Sequence, residues 1–227
     1  MPRDTLTRDQ IVDAAVGLLD DEGLEGLNMR ALGKRLGSAA TAVYWHVGSK
    51  SNLIGLAGDR VWDEITLPDL STSGWRSAAT TMATDLQAML ARHTWLVQAL
   101  GAYLMFGPRK ARHDDHNLAI YETAGFTPAQ ADQAAAAVST FVLGNAIGPA
   151  AAASLRRELS RGDSGKLMDA GMTEAKEVAA QFPRLRARLE TADAGYGAAP
   201  DSSLEFGLEA ILDGMEARLV TVTPKQT

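Results

Sequence analysis

Apolar residues near the start of the chain recur every three or four positions, the spacing that places side chains on one face of an α-helix. The first such stripe consists of Ile11, Ala15, Leu18 and Leu19. Before it, Thr7 and Gln10 have the spacing of a capping box, in which the hydroxyl accepts a backbone N–H and the amide reaches back. After it, Gly23 is suited to the left-handed conformation that ends a helix. The pattern predicts a first helix from about Thr7 to Gly23.

Two shorter helices are predicted next, joined by a tight turn at Gly37. Asn28 is a good N-cap for the first of them, and Ser38 is expected to cap the second, which extends to about His46. Their apolar positions are Met29, Leu32 and Leu36 in the first helix and Val43 in the second. Two short helices with a glycine-containing turn between them are the layout of a helix-turn-helix.

A fourth helix is expected to begin after Ser49, which can cap it, and to end before Pro68. Its apolar face consists of Leu53, Leu56, Ala57, Val61 and Ile65. From Leu67 to Gly74 the composition changes to Pro, Asp, Ser, Thr and Gly, which is typical of a connector. The sequence therefore predicts two domains, residues 1–66 and residues 67–227.

The second domain shows helical patterns and no sustained alternation of β-branched residues, so an all-α fold is expected. Pro149 should kink or split the longest helix, because proline removes a backbone donor and clashes with the preceding turn. The segment Asp193–Ser203, rich in Gly and Pro, is expected to be a loop. The predicted helices are about Trp75–Arg92, Thr94–Leu100, Pro108–Ala124, Pro128–Ser160, Thr173–Ala180 and Ser202–Val220.

The composition of the chain indicates where in the cell the protein is expected. Of the 227 residues, 46% are hydrophobic and 22% are charged, as in ordinary globular proteins. The longest apolar run, Ala134–Leu143, is too short to span a membrane, and charges near the amino end exclude a secretory leader. The absence of cysteine excludes disulfides and thiolate metal sites. We expect a cytoplasmic protein with no membrane partner.

Charge is distributed unevenly along the chain. The formal net charge of −6 argues against a nucleic-acid partner, because phosphate binding depends on Lys and Arg. From Asn28 to Gly58, however, there is no Asp or Glu. The same window contains the bases Arg30, Lys34, Arg35, His46 and Lys50. Unless this gap arises by chance, it predicts that the helix-turn-helix presents an acid-free surface to a polyanion.

Two motifs in this window resemble the DNA-binding signature of the tetracycline-repressor (TetR) family. They are GLEGLNMRALGKRLG at residues 23–37 and TAVYWHVGSK at residues 41–50. FVLGN at residues 141–145 and FGLEAILDGM at residues 206–215 are similar, less specifically, to the family's carboxyl-terminal domain. The resemblance implies a ligand-responsive transcriptional repressor. Such a protein binds palindromic operator DNA as a homodimer, is released by a small-molecule inducer, and is neither an enzyme nor cofactor-dependent.

The third helix carries residue types suited to DNA. Small side chains can approach base edges, while larger residues at the end of the helix can hold phosphates. The predicted DNA-binding residues are Arg30, Ala40, Thr41, Tyr44, Trp45, His46 and Lys50. The base contact of Arg30 is implied by the resemblance, and Tyr44 and Trp45 have the alternative of packing the third helix on the fourth. The chain departs from the family at Ala39, Ala40 and Ala42, where relatives often present long polar side chains.

The second domain is larger than DNA positioning requires, and cavities between helices are common ligand sites. The residues predicted to line one are Trp95, Tyr103, Met105, Phe106, Asn117, Tyr121, Phe141 and Asn145. Aromatic residues at helical spacing have plain core packing as the alternative, whereas a buried Asn requires a hydrogen-bonding partner. His113 and His116 share a helix face and suggest a metal, but an exposed polar turn explains them just as well, and no metal site is predicted.

Dimerisation is expected because one short recognition helix buries too little surface to be selective. The predicted interface uses the Ala-rich helix from about Val138 to Ser154 and the last helix. The apolar stripe of that last helix is Phe206, Leu208, Ile211, Leu212, Met215 and Leu219. Two rival hypotheses remain: an activator or ligand-independent regulator, and a helical small-molecule carrier or enzyme with a vestigial helix-turn-helix.

Overall fold

The computed structural model describes residues 6–161, 165–189 and 203–221, and these ranges contain helices and no strand. A single 3-10 turn, Trp62–Glu64, follows the fourth helix. We refer to α1–α4 with this turn as the head and to α5–α11 as the body. The helices are α1 (Arg8–Gly26), α2 (Met29–Arg35), α3 (Ala40–Val47), α4 (Lys50–Val61), α5 (Trp75–Arg92), α6 (Thr94–Ala102), α7 (Pro108–Ala124), α8 (Pro128–Arg161), α9 (Gly165–Ala180), α10 (Pro183–Leu189) and α11 (Ser203–Thr221).

The capping box at the start of α1 is confirmed. The hydroxyl of Thr7 accepts the backbone N–H of Gln10 at 3.2 Å, and the Gln10 side chain accepts the N–H of Thr7 at 2.9 Å. Gly23 interrupts this helix with a positive φ of 72°, as predicted, and a short helical segment beyond the kink continues to Gly26.

The turn between α2 and α3 depends on two glycines. Gly37 has a φ of 61°, a conformation that glycine adopts without strain. Gly33 lies so close to the turn that an added Cβ would be 2.8 Å from the carbonyl oxygen of Ser38 and 3.1 Å from the nitrogen of Ala40. The predicted cap at Ser38 is wrong: α3 begins one residue later than that cap would give, with Ala39 as N-cap and no side-chain hydrogen bond. The backbone N–H of Ser38 instead donates to the carbonyl of Gly33 at 2.8 Å.

The core of the body forms around α8, which contacts α5, α6, α7 and α11. The buried positions of α8 recur every three or four residues, so one side of this helix faces the core. These positions are Ala131, Ala134, Val138, Val142, Ala146 and Ala150. The helix continues through Pro149 without the predicted split.

Three features differ from the predicted arrangement of the body. Helix α9 begins at Gly165, eight residues before the predicted start at Thr173. Helix α10 was not predicted, although Pro183 at its first position is a typical helix start. In α11, Leu208, Leu212 and Met215 are buried inside their own chain. These three residues are therefore not available to contact a partner subunit, although the predicted dimer interface included them. The predicted loop Asp193–Ser203 lies outside the described residues except for Ser203, which begins α11.

The stretch Pro128–Leu159 of α8 is long and apolar enough to cross a membrane, a test that core helices of soluble proteins also pass. Only 28% of its most apolar window is buried within the chain. Much of the apolar surface of α8 is therefore exposed in the single chain.

Candidate functional site

Helix α3 has one buried apolar face and one face exposed to solvent. Its apolar residues Val43 and Val47 are 0% and 2% exposed and pack into the head. On the other side, Thr41 is exposed, Tyr44 is 48% exposed and Trp45 is 85% exposed. A tryptophan so exposed does not pack α3 on α4, so that alternative fails for Trp45. The outer face of α3 is free to meet a partner.

The remaining predicted DNA-binding residues lie around this face and differ in how exposed they are to solvent. Ala40 and His46 are half-buried, and the His46 ring meets the ring of Trp45 edge-on at 5.2 Å. Arg30 is exposed at the start of α2, where no acidic residue lies on either α2 or α3. Arg30, Thr41, Tyr44 and Trp45 are thus all solvent-facing residues of the helix-turn-helix.

Lys50 has a role inside the head that the sequence pattern did not predict. Its ammonium donates to the backbone carbonyl of Leu24 at 3.0 Å, near the end of α1. Carbonyls at the end of a helix lack intrahelical partners and favour a cation. Ser49 caps α4 as predicted, accepting the N–H of Asn52 at 3.0 Å. Lys50 therefore ties the first turn of α4 to α1.

A histidine bridges the head to the body. His93, between α5 and α6, is 5% exposed; its Nδ1 lies 2.7 Å from Asp20 of α1 and its Nε2 lies 2.8 Å from Glu64. Asp20 also accepts the indole N–H of Trp95 at 2.8 Å, and Arg92 pairs with Glu64. Two ring nitrogens facing two carboxylate oxygens favour the doubly protonated imidazolium.

The charges of this cluster shift the pKa values of His93 and Glu64. Burial alone would lower the pKa of His93, but the hydrogen bonds and charges of Asp20 and Glu64 raise it above the ordinary 6.5. For Glu64, burial opposes ionisation, while His93 and Arg92 hold its pKa below the ordinary 4.5. The cluster is therefore most stable with an imidazolium between ionised carboxylates.

A second connection joins α4 to the start of α7. Asp59, 6% exposed, accepts the backbone N–H groups of Arg109 and Lys110 at 3.0 Å each. These groups belong to the first turn of α7, where a carboxylate satisfies unpaired donors and the helix dipole. Arg109 also pairs with Asp63. A displacement of α7 must therefore move α4 or break these hydrogen bonds.

A small cavity that is open to solvent lies between α5, α7 and α8 of the body. Its volume is about 10 Å³, and Asn117, which is 9% exposed, lies in its wall beside His113 and Ser139. Tyr121, one turn further along α7, is 0% exposed. Its hydroxyl forms no hydrogen bond with the described residues, and the same is true of Gln87 Oε1 and His116 Nε2. Burial raises the pKa of Tyr121, so its hydroxyl remains a donor at neutral pH.

The other predicted ligand-binding residues do not share this cavity. The indole N–H of Trp95 donates to Asp20, and the sulfur of Met105 lies close to Gly58 in α4. Phe106 is 72% exposed at a cleft of about 650 Å³ between head and body. Tyr103 is half-buried in the same linker between α6 and α7.

Phe141 and Asn145 lie where α8 meets α11. The Phe141 ring packs against Gly207, and the Asn145 amide donates to the Phe141 carbonyl at 2.9 Å. The Asn145 side-chain oxygen accepts the Ser203 hydroxyl at 3.1 Å. These contacts give both residues a role in joining the two helices. Of the predicted ligand-binding residues, Asn117 lines the cavity, Tyr121 lies one turn further along α7 with its ring against Trp75 and Phe126, and the other six lie at three other places.

A helix-turn-helix with an exposed second helix, joined to a larger helical domain, defines a class of proteins: DNA-binding transcriptional regulators. Residues 11–56 match the model of the bacterial regulatory proteins of the tetR family. Residues 67–219 match the model of the tetracyclin repressor-like C-terminal domain. The chain belongs to the TetR family of transcriptional regulators.

Relatives extend along nearly the whole chain. The transcriptional repressor DrrR1 of Streptomyces coeruleorubidus is 33% identical over 226 residues, which cover 95% of this chain and 79% of that protein. The class C tetracycline repressor of Escherichia coli is 29% identical, covering 95% and 93%. Apo ActR of Streptomyces coelicolor superposes with a TM-score of 0.72 at 26% identity, covering 97% and 100%. ActR in complex with actinorhodin also gives 0.72, at 27% identity, covering 95% and 97%.

Proposed function

We propose that this chain is a ligand-responsive repressor that binds a palindromic operator as a homodimer and is released by a small-molecule inducer. It acts in the cytoplasm, without cofactor, membrane partner or catalytic activity. The observation that carries the proposal is the outer face of α3, where Thr41, Tyr44 and Trp45 face solvent on a helix-turn-helix free of acids from residue 28 to residue 58.

Each part of this face has a use in a major groove. Thr41, in the first turn of α3, is small enough to approach base edges, and the exposed Arg30 can reach a guanine. Tyr44, Trp45 and His46 follow at the end of the helix, where the phosphates pass. Lys50 contributes by holding α4 against α1, so it positions the reading helix and supplies positive charge at the same time.

A second copy of the chain is the proposed covering of α8 and α11. The exposed positions of α8 form a stripe opposite its buried one, containing Ala137, Gly144, Ile147 and Ala151. On α11 the exposed stripe contains Phe206, Ala210 and Gly214. Small residues let the backbones of two helices approach closely, and the larger Ile147 and Phe206 add apolar area. The paired heads would then read two half-sites about 34–36 Å apart.

The inducer site is proposed between α5, α7 and α8. Asn117 supplies a polar group in the wall of this cavity. One turn further along α7, the buried Tyr121 hydroxyl has no partner among the described residues and would suit a ligand that accepts its hydrogen bond once the site opens. ActR, a relative of similar fold, has been solved in complex with actinorhodin, which supports a small organic molecule as the ligand of such a body. A cavity of about 10 Å³ holds no such molecule, so binding must select a more open arrangement.

Helix α7 links this site to the head. It carries Asn117 and Tyr121 along its length, and its first turn is capped by Asp59 of α4. An inducer that moves α7 therefore changes the angle of α4 and the separation of the two heads. Release requires only that the ligand prefers the arrangement that fits DNA less well.

The proposal is tested by selecting bound fragments from genomic DNA and measuring their affinity by fluorescence anisotropy. Arg30→Ala should weaken binding to a selected fragment by about tenfold or more, since a bidentate base contact is lost. Lys34→Ala, an exposed cation on the same helix, is the matched control and should cost clearly less. A palindrome must emerge from the selected fragments. Weak, unselective binding that an Arg30→Ala, Trp45→Ala double variant leaves unchanged would instead favour the helical carrier or enzyme.

A further inference from the structure

The side chains at the start of α3 have unusual chemistry for a reading surface. Ala39 and Thr41 are exposed, and Ala40 and Ala42 are half-buried beside them. From Ser38 to Val47 there is no Asn, Gln, Asp, Glu, Lys or Arg. The first turn of α3 therefore offers methyl groups and a single hydroxyl, that of Thr41.

Each base pair presents a different pattern in the major groove, and each pattern needs a particular partner. Adenine is read by Asn or Gln, cytosine by Asp or Glu, and guanine by Arg or Lys, whereas the thymine C5-methyl is read by apolar contact. The first turn of α3 has partners for thymine only, apart from one hydroxyl that is not selective. Lys50, the nearest lysine after α3, is already bound to the carbonyl of Leu24.

Arg30 is the one residue of the head to which we assign a hydrogen-bonded base contact. It is exposed at the start of α2, and no hydrogen bond or ion pair of its side chain occurs among the described residues. By contrast, Arg35 on the same helix is paired with Asp21 at 2.7 Å. Arg30 is thus free to bind a guanine edge.

We propose that the head recognises its operator half-site mainly through thymine methyl groups, together with one guanine bound by Arg30, and does not read adenine by hydrogen bonds. The inference rests on the proposed function, because it names the chemistry of the DNA that α3 would recognise. It predicts a half-site in which the thymines facing α3 are specified by their methyl groups rather than by the adenines opposite them.

The test is base-analogue interference on the selected operator, measured by fluorescence anisotropy. Replacing a thymine by deoxyuridine removes one methyl group and should weaken binding about fourfold at two or more positions per half-site. Replacing an adenine by 7-deazaadenine removes the N7 acceptor and should change affinity less than twofold at every position. Replacing guanines by 7-deazaguanine should be costly at one position, and that cost should disappear in Arg30→Ala.

Two controls separate methyl recognition from effects on duplex shape. The same number of deoxyuridines placed outside the half-sites should have no effect. At a sensitive thymine, a 5-methylcytosine·guanine pair should bind about fourfold better than a cytosine·guanine pair, because the methyl group is restored at the same place.

A pair of variants assigns one methyl contact to Thr41. Thr41→Val retains a methyl and loses the hydroxyl, so it should keep the full set of deoxyuridine penalties. Thr41→Ser retains the hydroxyl and loses the methyl, so one thymine should become indifferent to deoxyuridine. The side chain is exposed, and circular dichroism checks that both variants are folded.

The outcomes distinguish the inference from the proposed function. If the protein binds the selected fragments no better than a scrambled duplex, both are overturned. If it binds them selectively but 7-deazaadenine costs as much as deoxyuridine, the regulator remains and methyl recognition is overturned.

Discussion

Gly33 is the residue on which the geometry of the helix-turn-helix depends most directly. A Cβ at this position would lie 2.8 Å from a carbonyl oxygen of the turn, and the backbone there cannot move without displacing α3. Gly33→Ala should lower the free energy of unfolding of the head by about 1–3 kcal/mol, as overpacking does elsewhere. Thermal unfolding followed by circular dichroism measures this change.

Gly101→Ala is the matched control for that substitution. Gly101 lies in α6 with nothing within 4 Å of an added Cβ. The substitution should be neutral or stabilise the protein by up to about 1 kcal/mol, since alanine favours helices. Equal losses in the two variants would show that the close approach at Gly33 is unimportant.

Residues whose role is local were predictable from sequence. Thr7, Asn28 and Ser49 all cap the helices that they were predicted to cap, because a cap involves only atoms three residues away. Ser38 does not cap α3, because the helix starts one residue later with Ala39 as its N-cap. The structural contact of Lys50 was not predictable, since its partner, Leu24, is 26 residues away and no local pattern marks it.

At the scale of elements, the His93 cluster makes the contact between head and body dependent on pH. The pKa of His93 is higher in the folded protein than in the unfolded one, so the protonated imidazole stabilises the fold. This contribution is complete below about pH 6.5, the unfolded value, and is lost as the pH rises through the folded pKa. Glu64 has a lowered pKa, so its contribution is present above about 4.5 and is lost as the pH falls through its folded value.

His93→Gln should therefore destabilise the protein most near pH 6, and the difference from the wild type should shrink towards pH 9. Each unit by which the folded pKa exceeds the unfolded one corresponds to about 1.4 kcal/mol of this difference. Urea unfolding at several pH values measures it. A double-mutant cycle with Asp20→Asn should give a coupling energy that is large at pH 6 and small at pH 9. A difference that is constant with pH would contradict the imidazolium bridge.

Helix bounds were largely predictable because proline, glycine and capping residues mark them locally. Even α10, which was not predicted, begins at a proline that could have indicated it. The contacts between elements were not predictable in the same way. His93 meets Asp20 across 73 positions of the chain, and Asp59 meets Arg109 across 50. Without an alignment or a fold, no pattern in the sequence pairs such residues.

At the scale of the whole molecule, the proposed dimer can be broken by a single charge. Ile147 is 57% exposed on α8, so Ile147→Glu should leave the monomer folded. In the dimer it would bury an unpaired carboxylate, which costs several kcal/mol and should weaken association by at least about 100-fold. Sedimentation velocity over a concentration series measures the change, and operator affinity should fall with it.

Gln98→Glu introduces the same charge at an exposed position of α6 and serves as the control. It should leave both sedimentation and DNA binding unchanged. If Ile147→Glu remains a dimer while its operator affinity is retained, the partner surface lies elsewhere.

Six ion pairs between head and body within the described residues have the same polarity. Asp20, Asp59, Asp63 and Glu64 of the head meet Arg92, His93, Arg109 and Arg112 of the body. The head thus keeps part of its negative charge on the side turned away from α3. Transplanting this head onto the body of another regulator would succeed only where that body offers bases at matching places. On a body that lacks these bases, the four carboxylates would have no cationic partners. The contact between head and body would then be weaker, and the added negative charge would repel the DNA.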